Sequence, residues 1–299
     1  KALDVQPYFH LARRYLGDAY YYSGDWNAAL EQWELLDEFS DGAYPLVRQR
    51  SELLRFALSS KARPGPYTLL TRLRTDELPS GSCKGPTDLA LDEENAVYLA
   101  CFDSGKIMKF NSEAEYITDF SGPFWDRIET PLGLAYGENR LYVTDFKADL
   151  LRVFDQRGRA VSTFGGRGSG EGQFFGPAGV ALAADGIYVA DTGNHRIIKF
   201  SAEGRALSAI NIPDEEEPGG LAVGPQGELF ISLPRADQIL VYDADGNLLR
   251  TIADPAMRRP MFLHRDGTRL LISNQAGDLL FYDTLTSAFR SLSELRDNE

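Results

Sequence analysis

The spacing of apolar residues changes once along the chain. Up to about residue 59, apolar side chains recur every three or four positions, which indicates helices with one buried face. Beyond about residue 66 they fall into short alternating runs separated by Gly, Pro and Asx turns, which indicates strands. Small, basic, Pro and Gly residues fill the stretch 59–66 between the two patterns. We therefore predict a helical segment at residues 1–62 and a mainly β domain at residues 63–299.

One sequence unit recurs five times in the β domain. Each copy has a turn that ends in Pro, an apolar strand, a second turn, a strand that begins with a large apolar residue and a strand that ends in an aromatic residue. The prolines that anchor the copies are Pro86, Pro131, Pro177, Pro218 and Pro260. They are 45, 46, 41 and 42 residues apart, which is the length of one propeller blade. A fourth strand is predicted after the third, as at Arg159–Phe164, so the unit predicts a β-propeller of four-stranded blades.

The number of blades stays open between five and six. Five copies are visible, but Tyr67–Leu73 has the pattern of an extra strand before the first copy. Ala288–Leu295 has the pattern of a fourth strand after the last copy. A closed five-bladed ring and an incomplete six-bladed ring capped by the helices both fit, and the visible copies favour five.

The central copy carries the most specific motif of the chain, Tyr188–Ile197, in which Asn194, His195 and Arg196 stand together. This stretch resembles an NHL repeat, a family named after such a triplet, and the resemblance extends over about residues 82–283. It implies a propeller, commonly six-bladed, in which Asp191 accepts hydrogen bonds from its loop and pairs with Arg196, while His195 belongs to the scaffold. At the position of Asp191 the other copies have Cys101, Asp145, Leu233 and Asn274. At the position of Arg196 three of them have Lys106, Leu150 and Gln238.

The helical segment resembles a single tetratricopeptide (TPR) repeat. The matching residues are Leu16, Gly17, Tyr20, Gly24, Asp25, Trp26, Ala29, Leu30 and Trp33. Arg13 and Leu36 depart from that pattern, and a third helix is predicted from Pro45 to about Ser59. The resemblance implies either a helical cap or a peptide-binding groove; with one repeat in view, the cap is favoured.

Composition restricts the partners. The formal net charge of −13 argues against general binding to nucleic acids or anionic membranes, and no run of about 20 apolar residues predicts a membrane span. The chain begins at Lys1 rather than Met, so we expect that a signal or further TPR repeats can precede it. The compartment therefore stays open between the cytoplasm and a bacterial periplasm.

Metal and cofactor sites are not predicted. Cys83 and Cys101 are expected to be buried thiols rather than a bridge, and three histidines in the chain are too few for a Cys/His zinc site. Some NHL proteins are amidating lyases with axial zinc, but one of the three histidines here, His10, lies outside the propeller. Related hydrolases hold calcium with axial carboxylates, whereas the inner strands here are apolar and only Asp88 and Asp92 flank one of them.

No catalytic group stands out either. The Gly-rich stretch 165–172 lacks the Lys of a phosphate-binding loop and is expected to be an inter-blade loop. No nucleophile stands next to a base. We therefore predict no catalytic residues and no cofactor.

One rim of the propeller is the predicted binding surface, because the turns between second and third strands and the loops between blades meet there. The predicted binding residues are Phe102, Phe124, Trp125, Arg127, Phe146, Lys147, Arg235, Arg258 and Arg259, with Arg167 and Met257 on the same rim. The aromatic residues form either a contact patch or staples between blades. Asp214–Glu217 is an acidic run in a neighbouring loop, which argues against the RNA binding known for some animal NHL domains.

The functional prediction is a noncatalytic bacterial interaction or scaffold protein that binds a protein or peptide through the propeller rim, with the helical segment as an optional second surface. The alternative is a propeller-type hydrolase or lyase, with or without calcium.

Overall fold

The structure is a computed structural model that describes residues 26–40, 81–124, 126–266, 269–274, 279–284 and 286–291, with isolated positions at 16, 47, 51, 73, 75 and 78. The described part is mainly β, as predicted. The chain divides into two compact units, the first of Lys1–Leu73 with Leu295–Glu299 and the second of Arg74–Glu294. The predicted boundary near residue 62 stays a prediction.

In the first unit the described element is helix α1, Trp26–Ser40. Ala29, Trp33 and Leu36 are buried on one face of it, at the spacing of four and three residues that the apolar stripe predicts. This confirms the second predicted helix. The first and third predicted helices lie outside the described residues except for single positions, and so does the cap residue Asp25. The TPR assignment stays a prediction.

The second unit contains five four-stranded antiparallel sheets in which the strands follow chain order. Blade 1 comprises β1 Pro86–Leu91, β2 Val97–Cys101, β3 Lys106–Phe110 and β4 Tyr116–Phe120. Blade 2 comprises β5 Pro131–Gly137, β6 Arg140–Asp145, β7 Leu150–Asp155 and β8 Ala160–Gly165. Blade 3 comprises β9 Pro177–Ala183, β10 Gly186–Asp191, β11 Arg196–Phe200 and β12 Ala206–Asn211. Blade 4 comprises β13 Leu221–Val223, β14 Leu229–Leu233, β15 Gln238–Tyr242 and β16 Leu248–Ala253, and blade 5 comprises β17 Pro260–Asp266, β18 Arg269–Asn274, β19 Leu279–Asp283 and β20 Phe289–Ser291.

These sheets confirm the predicted propeller of four-stranded blades. Four of the five anchoring prolines begin the first strand of a blade, and Pro218 precedes β13 by three residues. The predicted strand in Ala288–Leu295 is found as β20, which pairs with β19 of its own blade. Apart from Leu73, the other predicted extra strand, Tyr67–Leu73, lies outside the described residues.

Consecutive blades approach closely at their inner strands. A Cβ added to any of three glycines there would collide with the backbone of the next blade; they are Gly133, Gly179 and Gly220. The Thr144 hydroxyl of blade 2 donates to the carbonyl of Ala178 in blade 3. In the same way, the Ser232 hydroxyl of blade 4 donates to the carbonyl of Met261 in blade 5 at 2.9 Å. The small residues that alternate with large ones in the repeat therefore join the blades.

Apolar side chains fill the junctions between consecutive blades. Four buried clusters lie between blades 1 and 2, 2 and 3, 3 and 4, and 4 and 5. Representative pairs, in that order, are Tyr98 with Leu134, Val153 with Phe200, Tyr188 with Leu229, and Val241 with Leu280. No fifth cluster joins blade 5 to blade 1 among the described residues. The way in which the ring closes stays a prediction.

The buried face of α1 is tested by Trp33→Ala. Trp33 is 1% exposed, so its truncation leaves a large cavity and should lower the free energy of unfolding by about 3–5 kcal/mol. Urea unfolding followed by circular dichroism measures this, with the exposed Glu31→Ala on the same helix as the control. Equal stability of the two variants would show that Trp33 is not part of a core.

Candidate functional site

Two kinds of loop meet at one edge of the propeller, which we call the rim. They are the turns between the second and third strands of a blade and the loops between blades. The backbone N–H of Phe146, in a turn, donates to the carbonyl of Thr130, in an inter-blade loop, at 3.0 Å. Likewise the N–H of Gly193 donates to the carbonyl of Phe175 at 2.8 Å. The loops that the sequence assigns to one rim are therefore together in the structure.

The last residue of the second strand bonds to the inter-blade loop that enters the blade. We call this contact the clamp, and blade 3 shows it in full. Asp191 is fully buried, and its Oδ1 accepts a hydrogen bond from the N–H of Phe175 at 2.8 Å. Its Oδ2 accepts from Arg196 Nε at 2.8 Å, and Asn194 Nδ2 donates to both oxygens. Arg196 also donates through Nη2 to two carbonyls of the Gly-rich loop. The pairing expected from the NHL resemblance is present.

His195 serves the scaffold in this arrangement. Its backbone adopts a left-handed conformation with φ of 54°, which ends the turn before β11. Its Nδ1 lies 3.3 Å from the carbonyl oxygen of Glu216, in the next inter-blade loop. The side chain therefore links two loops of the rim.

Blade 2 repeats the clamp with a different arginine. Asp145 accepts hydrogen bonds from the N–H groups of Glu129 and Thr130, both at 2.9 Å. Its cationic partner is Arg152, whose Nε lies 2.9 Å from Asp145 Oδ2. The sequence alignment placed Leu150 at the position of Arg196. The guanidinium instead comes from two residues further along β7, which points to the same face of the strand.

Blade 1 uses covalent chemistry at the same position. The expectation of buried thiols is wrong, because Cys101, at the end of β2, forms a disulfide with Cys83 in the segment that enters the blade. In blade 5, Asn274 Oδ1 accepts from the N–H of Arg258 at 2.9 Å. In blade 4 the position is occupied by Leu233, which is buried among apolar residues.

The clamp of blade 3 is tested by Asp191→Ala. The substitution leaves the Nε of the partly buried Arg196 and the N–H of Phe175 without their acceptor, so the free energy of unfolding should fall by about 3–5 kcal/mol. Asp185→Ala is the matched control, because Asp185 is half exposed beside Lys199 and its loss should cost about 0–1 kcal/mol. Urea unfolding of the two variants compares them. A cost for Asp191→Ala no larger than that for Asp185→Ala would contradict the clamp.

Two of the predicted aromatic residues contact each other on the rim. The ring centroids of Phe102 and Phe146 are 6.3 Å apart. Phe146 is 38% exposed and also lies against Gly176, where an added Cβ would come within 2.9 Å of its ring. Gly176 has φ of +67°, so the position favours glycine on both grounds. Phe146 thus packs one side of its ring on the junction between blades 2 and 3 and presents the rest to solvent.

Among the described residues, Phe124 is the most exposed large apolar side chain, at 81%, and the guanidinium carbon of Arg127 lies 5.2 Å from its ring centroid. Trp125 lies outside the described residues. Phe175, which is not among the predicted rim residues, is 47% exposed and has Arg167 over its ring at 5.2 Å. The sequence contains one signal for an exposed Phe175, which is that it directly follows Phe174 and precedes Gly176. When two consecutive residues are both aromatic, one side chain points inward and the other points outward.

The predicted basic residues of the rim are exposed. Lys147 pairs with Glu129 at 3.4 Å and Arg235 with Glu217, in the acidic run, at 3.2 Å. Arg258 and Arg259 are held through their backbone N–H groups, which bond to the side chains of Asn274 and Asp237. The prediction of Met257 as a rim residue is wrong: it is 1% exposed and packs in the cluster between blades 4 and 5.

A polar groove of about 510 Å³ opens on the rim between blades 1 and 2. Asp103, Lys106, Asp119, Arg127 and Glu129 contribute charged side chains of both signs to its walls. Arg127 therefore joins the exposed ring of Phe124 to this groove. The surrounding charges can orient a polar ligand chain next to the aromatic residue.

The propeller axis contains a second cavity, of about 350 Å³, lined by the inner strands of all five blades. Asp88, on β1, lies there and accepts hydrogen bonds from the N–H groups of Leu134, in blade 2, at 2.8 Å and of Leu89 at 2.9 Å. Burial raises the pKa of the Asp88 carboxyl to about 7 against the lowering effect of these two hydrogen bonds. Within the described part of the chain, no three His, Cys, Asp or Glu side chains are grouped so that they could hold a metal ion.

The titration of Asp88 gives a pH dependence with a defined sign. Because its pKa is raised from 3.8 to about 7 on folding, the stabilisation is complete below pH 3.8 and is lost as the pH rises through 7. Asp88→Asn cannot ionise, so its melting temperature should fall less than that of the wild type between pH 5 and pH 8. Over this pH range the difference corresponds to as much as about 3 kcal/mol.

The exposed turn variant Asp245→Asn serves as the control for this comparison. It should follow the wild-type melting temperatures across the pH range. Parallel melting curves for Asp88→Asn and the wild type would contradict a carboxyl that titrates near neutrality.

Within the described residues, no helix has the length and apolar character that a membrane crossing requires.

Comparison with known proteins supports the propeller. A family model described as a 6-bladed beta-propeller matches residues 127–230. The protein named Brain tumor from Drosophila melanogaster is 24% identical over 123 residues, which make up 40% of this chain and 12% of that relative. The chain thus spans only a small part of the length of this relative.

Solved structures of similar fold include two kinds of protein. The structure of virginiamycin B lyase from Staphylococcus aureus aligns with a TM-score of 0.57 at 15% identity, over 72% of this chain and 71% of that one. A structure of a nidogen/laminin complex aligns with a TM-score of 0.57 at 16% identity, over 70% of this chain and 80% of that one. At such identities these similarities show the fold alone.

Proposed function

We propose that this chain is a noncatalytic interaction module whose propeller rim binds a protein or peptide. The observation that carries the proposal is the set of exposed phenylalanines on consecutive rim loops of blades 1 to 3. They are Phe124, Phe146 and Phe175. A basic residue lies near each of them in the chain or in space, namely Arg127, Lys147 and Arg167.

Exposed aromatic rings beside guanidinium groups are the usual anchors of protein interfaces. Complete burial of a phenylalanine side chain contributes roughly 1.5–3 kcal/mol, so three such rings can supply a substantial part of a micromolar affinity. Arg127 and Arg167 stack on two of the rings, which leaves their remaining N–H donors directed at a ligand's carbonyl or carboxylate groups. Interface hot spots are enriched in this combination of residues.

The clamps make this surface rigid before binding. The loops that carry Phe124 and Phe175 are fixed through Asp145 and Asp191, whose carboxylates are buried and paired with arginines. Arg152 also bonds to the Asp126 carboxylate and the Arg127 carbonyl, the residues that follow the aromatic pair. A preformed surface loses less conformational entropy when it binds.

The charge of the rim changes around the ring, which gives the partner a polarity. Basic residues accompany the aromatic rings of blades 1 to 3, whereas Asp214–Glu217 lies in the loop between blades 3 and 4. A peptide that crosses from one region to the other would carry an acidic or aromatic part on the former and a basic part on the latter. Its association would be faster at low ionic strength.

Two further aspects belong to the proposal. The helical segment with its TPR resemblance is a second surface for the same partner or a cap. The disulfide between Cys83 and Cys101 favours an oxidising compartment, which for a bacterial protein is the periplasm or cell exterior.

A propeller-type hydrolase or lyase remains the second candidate. The observation that favours it is the axial cavity, which contains a carboxyl with a raised pKa in a fold shared with a lyase. Turnover of a lactone, ester or cyclic peptide that disappears in Asp88→Asn would support it over the interaction module.

The rim is tested by selecting ligands from a phage library of random twelve-residue peptides. The wild-type chain is compared with a triple variant, Phe124→Ser, Phe146→Ser and Phe175→Ser. The matched control carries Val161→Ser, Leu207→Ser and Leu249→Ser, which remove three other exposed apolar residues from outer strands. Melting temperatures first establish that all three proteins are folded. We expect peptides selected on the wild type to bind the control within about twofold and the rim variant at least about tenfold more weakly.

Affinity capture from a lysate of the source cell then uses the same three proteins. A partner retained by the wild type and the control but lost from the rim variant supports the proposal. Peptides and partners that bind all three proteins equally would exclude the rim as the binding surface. In that case the phenylalanines only staple the blades together, and their loss should lower the melting temperature.

A further inference from the structure

Blade 3 holds a lysine ammonium group against a tyrosine and an aspartate. The Nζ of Lys199 lies 2.5 Å from the Asp185 carboxylate and 5.3 Å from the ring centroid of Tyr188. The Tyr188 hydroxyl donates to the same carboxylate at 3.3 Å. Tyr188 and Lys199 are directly opposite each other on β10 and β11, so the lysine stem runs beside the ring. The ammonium group therefore contacts a carboxylate and an aromatic ring together.

Blade 1 contains the same arrangement. The Nζ of Lys109 lies 3.3 Å from Asp92 Oδ2 and 4.7 Å from the ring centroid of Tyr98, and these two residues are also paired across neighbouring strands. The Tyr98 hydroxyl donates to Asp92 at 3.4 Å. In both blades the aspartate comes from the turn between the first and second strands, at the end of the blade away from the rim. The blade scaffold thus forms an ammonium site at this position.

Blade 2 has the tyrosine of this arrangement but not the lysine. Tyr142 occupies the tyrosine position on β6, and the residue opposite it on β7 is Val153. The turn between β5 and β6 again supplies an acidic residue, Glu138. Blades 4 and 5 have Phe230 and Leu271 at the tyrosine position, so neither has a hydroxyl there. Blade 2 therefore keeps the acceptors of the site and lacks the cation.

The Tyr142 hydroxyl is buried without a partner. The residue is 4% exposed, and within the described part of the chain its hydroxyl makes no hydrogen bond. Burial raises the pKa of this hydroxyl, whereas the Arg140 charge lowers it and the Glu138 charge raises it, so it stays neutral near pH 7. A buried polar group without a partner costs free energy, which a ligand that bonds to it recovers.

A third cavity, of about 560 Å³, opens beside this hydroxyl, and both Tyr142 and Glu138 line it. Glu138 is exposed and makes no ion pair among the described residues. The other carboxylate of the lining, that of Asp185, is already paired with Lys199. Arg265, which lines the cavity where it meets the axial one, is engaged in an interaction of its own. The uncompensated charge beside Tyr142 is therefore negative.

The rest of the lining suits a short aliphatic group. Leu182, Leu207 and Val223 contribute apolar side chains, and glycines and alanines of blades 2 to 4 leave space between them. The four methylenes of Lys109 and Lys199 fill the corresponding space in blades 1 and 3. Val153 is too short to do so, since its side chain ends two bonds from the backbone.

We propose that this cavity binds a small organic amine, whose primary ammonium group takes in blade 2 the place that a lysine ammonium occupies in blades 1 and 3. The Glu138 carboxylate and the Tyr142 hydroxyl accept its N–H groups, and its aliphatic body extends along Leu182 and Val223. The site lies at the edge opposite the rim, so it is independent of the rim function. A cavity of several hundred cubic ångströms with few convergent polar groups is typical of small-molecule sites.

The test compares n-hexylammonium with n-hexanol, which has the same aliphatic body and no charge. Titrations at pH 7 are followed by ligand-observed NMR. We expect saturable binding of the amine, at least about tenfold tighter than that of the alcohol. Tyr142→Phe should weaken the amine about tenfold, and Glu138→Gln should weaken it about threefold while changing the alcohol less than about twofold. Phenylalanine occupies the same position in blade 4, so Tyr142→Phe should fold.

Matched controls come from the other blades. Tyr188→Phe makes the same change where Lys199 already fills the site, and Glu93→Gln removes an exposed carboxylate from the equivalent turn of blade 1. Neither should change the affinity for the amine. Val153→Lys places a lysine where blades 1 and 3 have one, so a folded variant should no longer bind the amine.

The source of the ammonium group is tested with N-acetyl-lysine methylamide, which represents a lysine side chain of a peptide partner. It should bind more weakly than n-hexylammonium, and tighter binding would overturn the assignment to a small molecule.

Circular dichroism first shows which variants are folded. Amine and alcohol of equal affinity, or equal effects of Tyr142→Phe and Tyr188→Phe, would overturn the proposal. So would wild-type affinity in a folded Val153→Lys variant, or loss of the amine in the triple serine variant of the rim. None of these results depends on whether the rim binds a peptide.

Discussion

The structure depends on the bond between the residue that ends the second strand of a blade and the loop that enters that blade. The entering loop has no regular partner of its own, because its backbone crosses from one blade to the next. Asp145 and Asp191 provide acceptors for its N–H groups and are themselves paired with buried or partly buried arginines. This bond fixes the start of the first strand. It also fixes the position of the rim residues that precede this strand in the chain.

The same position performs this task with different chemistry in different blades. A disulfide occupies it in blade 1, aspartates in blades 2 and 3, an apolar side chain in blade 4 and an asparagine in blade 5. A buried carboxylate is tolerated only when all its partners are in place, since an isolated charge in the interior costs several kcal/mol. The disulfide needs no such partners, because it acts mainly on the entropy of the unfolded chain. Four of the five blades make a bond at this point with different chemistry, whereas Leu233 of blade 4 packs among apolar side chains instead.

The propeller separates two surfaces that differ in physical character. The rim has a mixed surface, with exposed phenylalanines backed by clamped loops, charges of both signs and a polar groove. The axis is concave, and its cavity is lined by apolar side chains together with polar ones such as Asp88. Because glycines allow the inner strands to pack closely, the side chains of the axial wall have fixed positions. The rim loops, in contrast, can differ in length and residue type without disturbing the blades.

The sequence by itself determined the repeat, the four-stranded blades, the helix at Trp26–Ser40 and the loops that form the rim. Each of these is encoded within about 40 neighbouring residues by alternation, turn residues and apolar periodicity. Only the tertiary structure decided that Arg152 rather than the residue at position 150 pairs with Asp145, that Cys83 and Cys101 are bonded, that Met257 is buried and that Phe175 is exposed. These features arise from contacts between strands of different blades or of different register, and a local pattern carries no information about which distant side chain will face it.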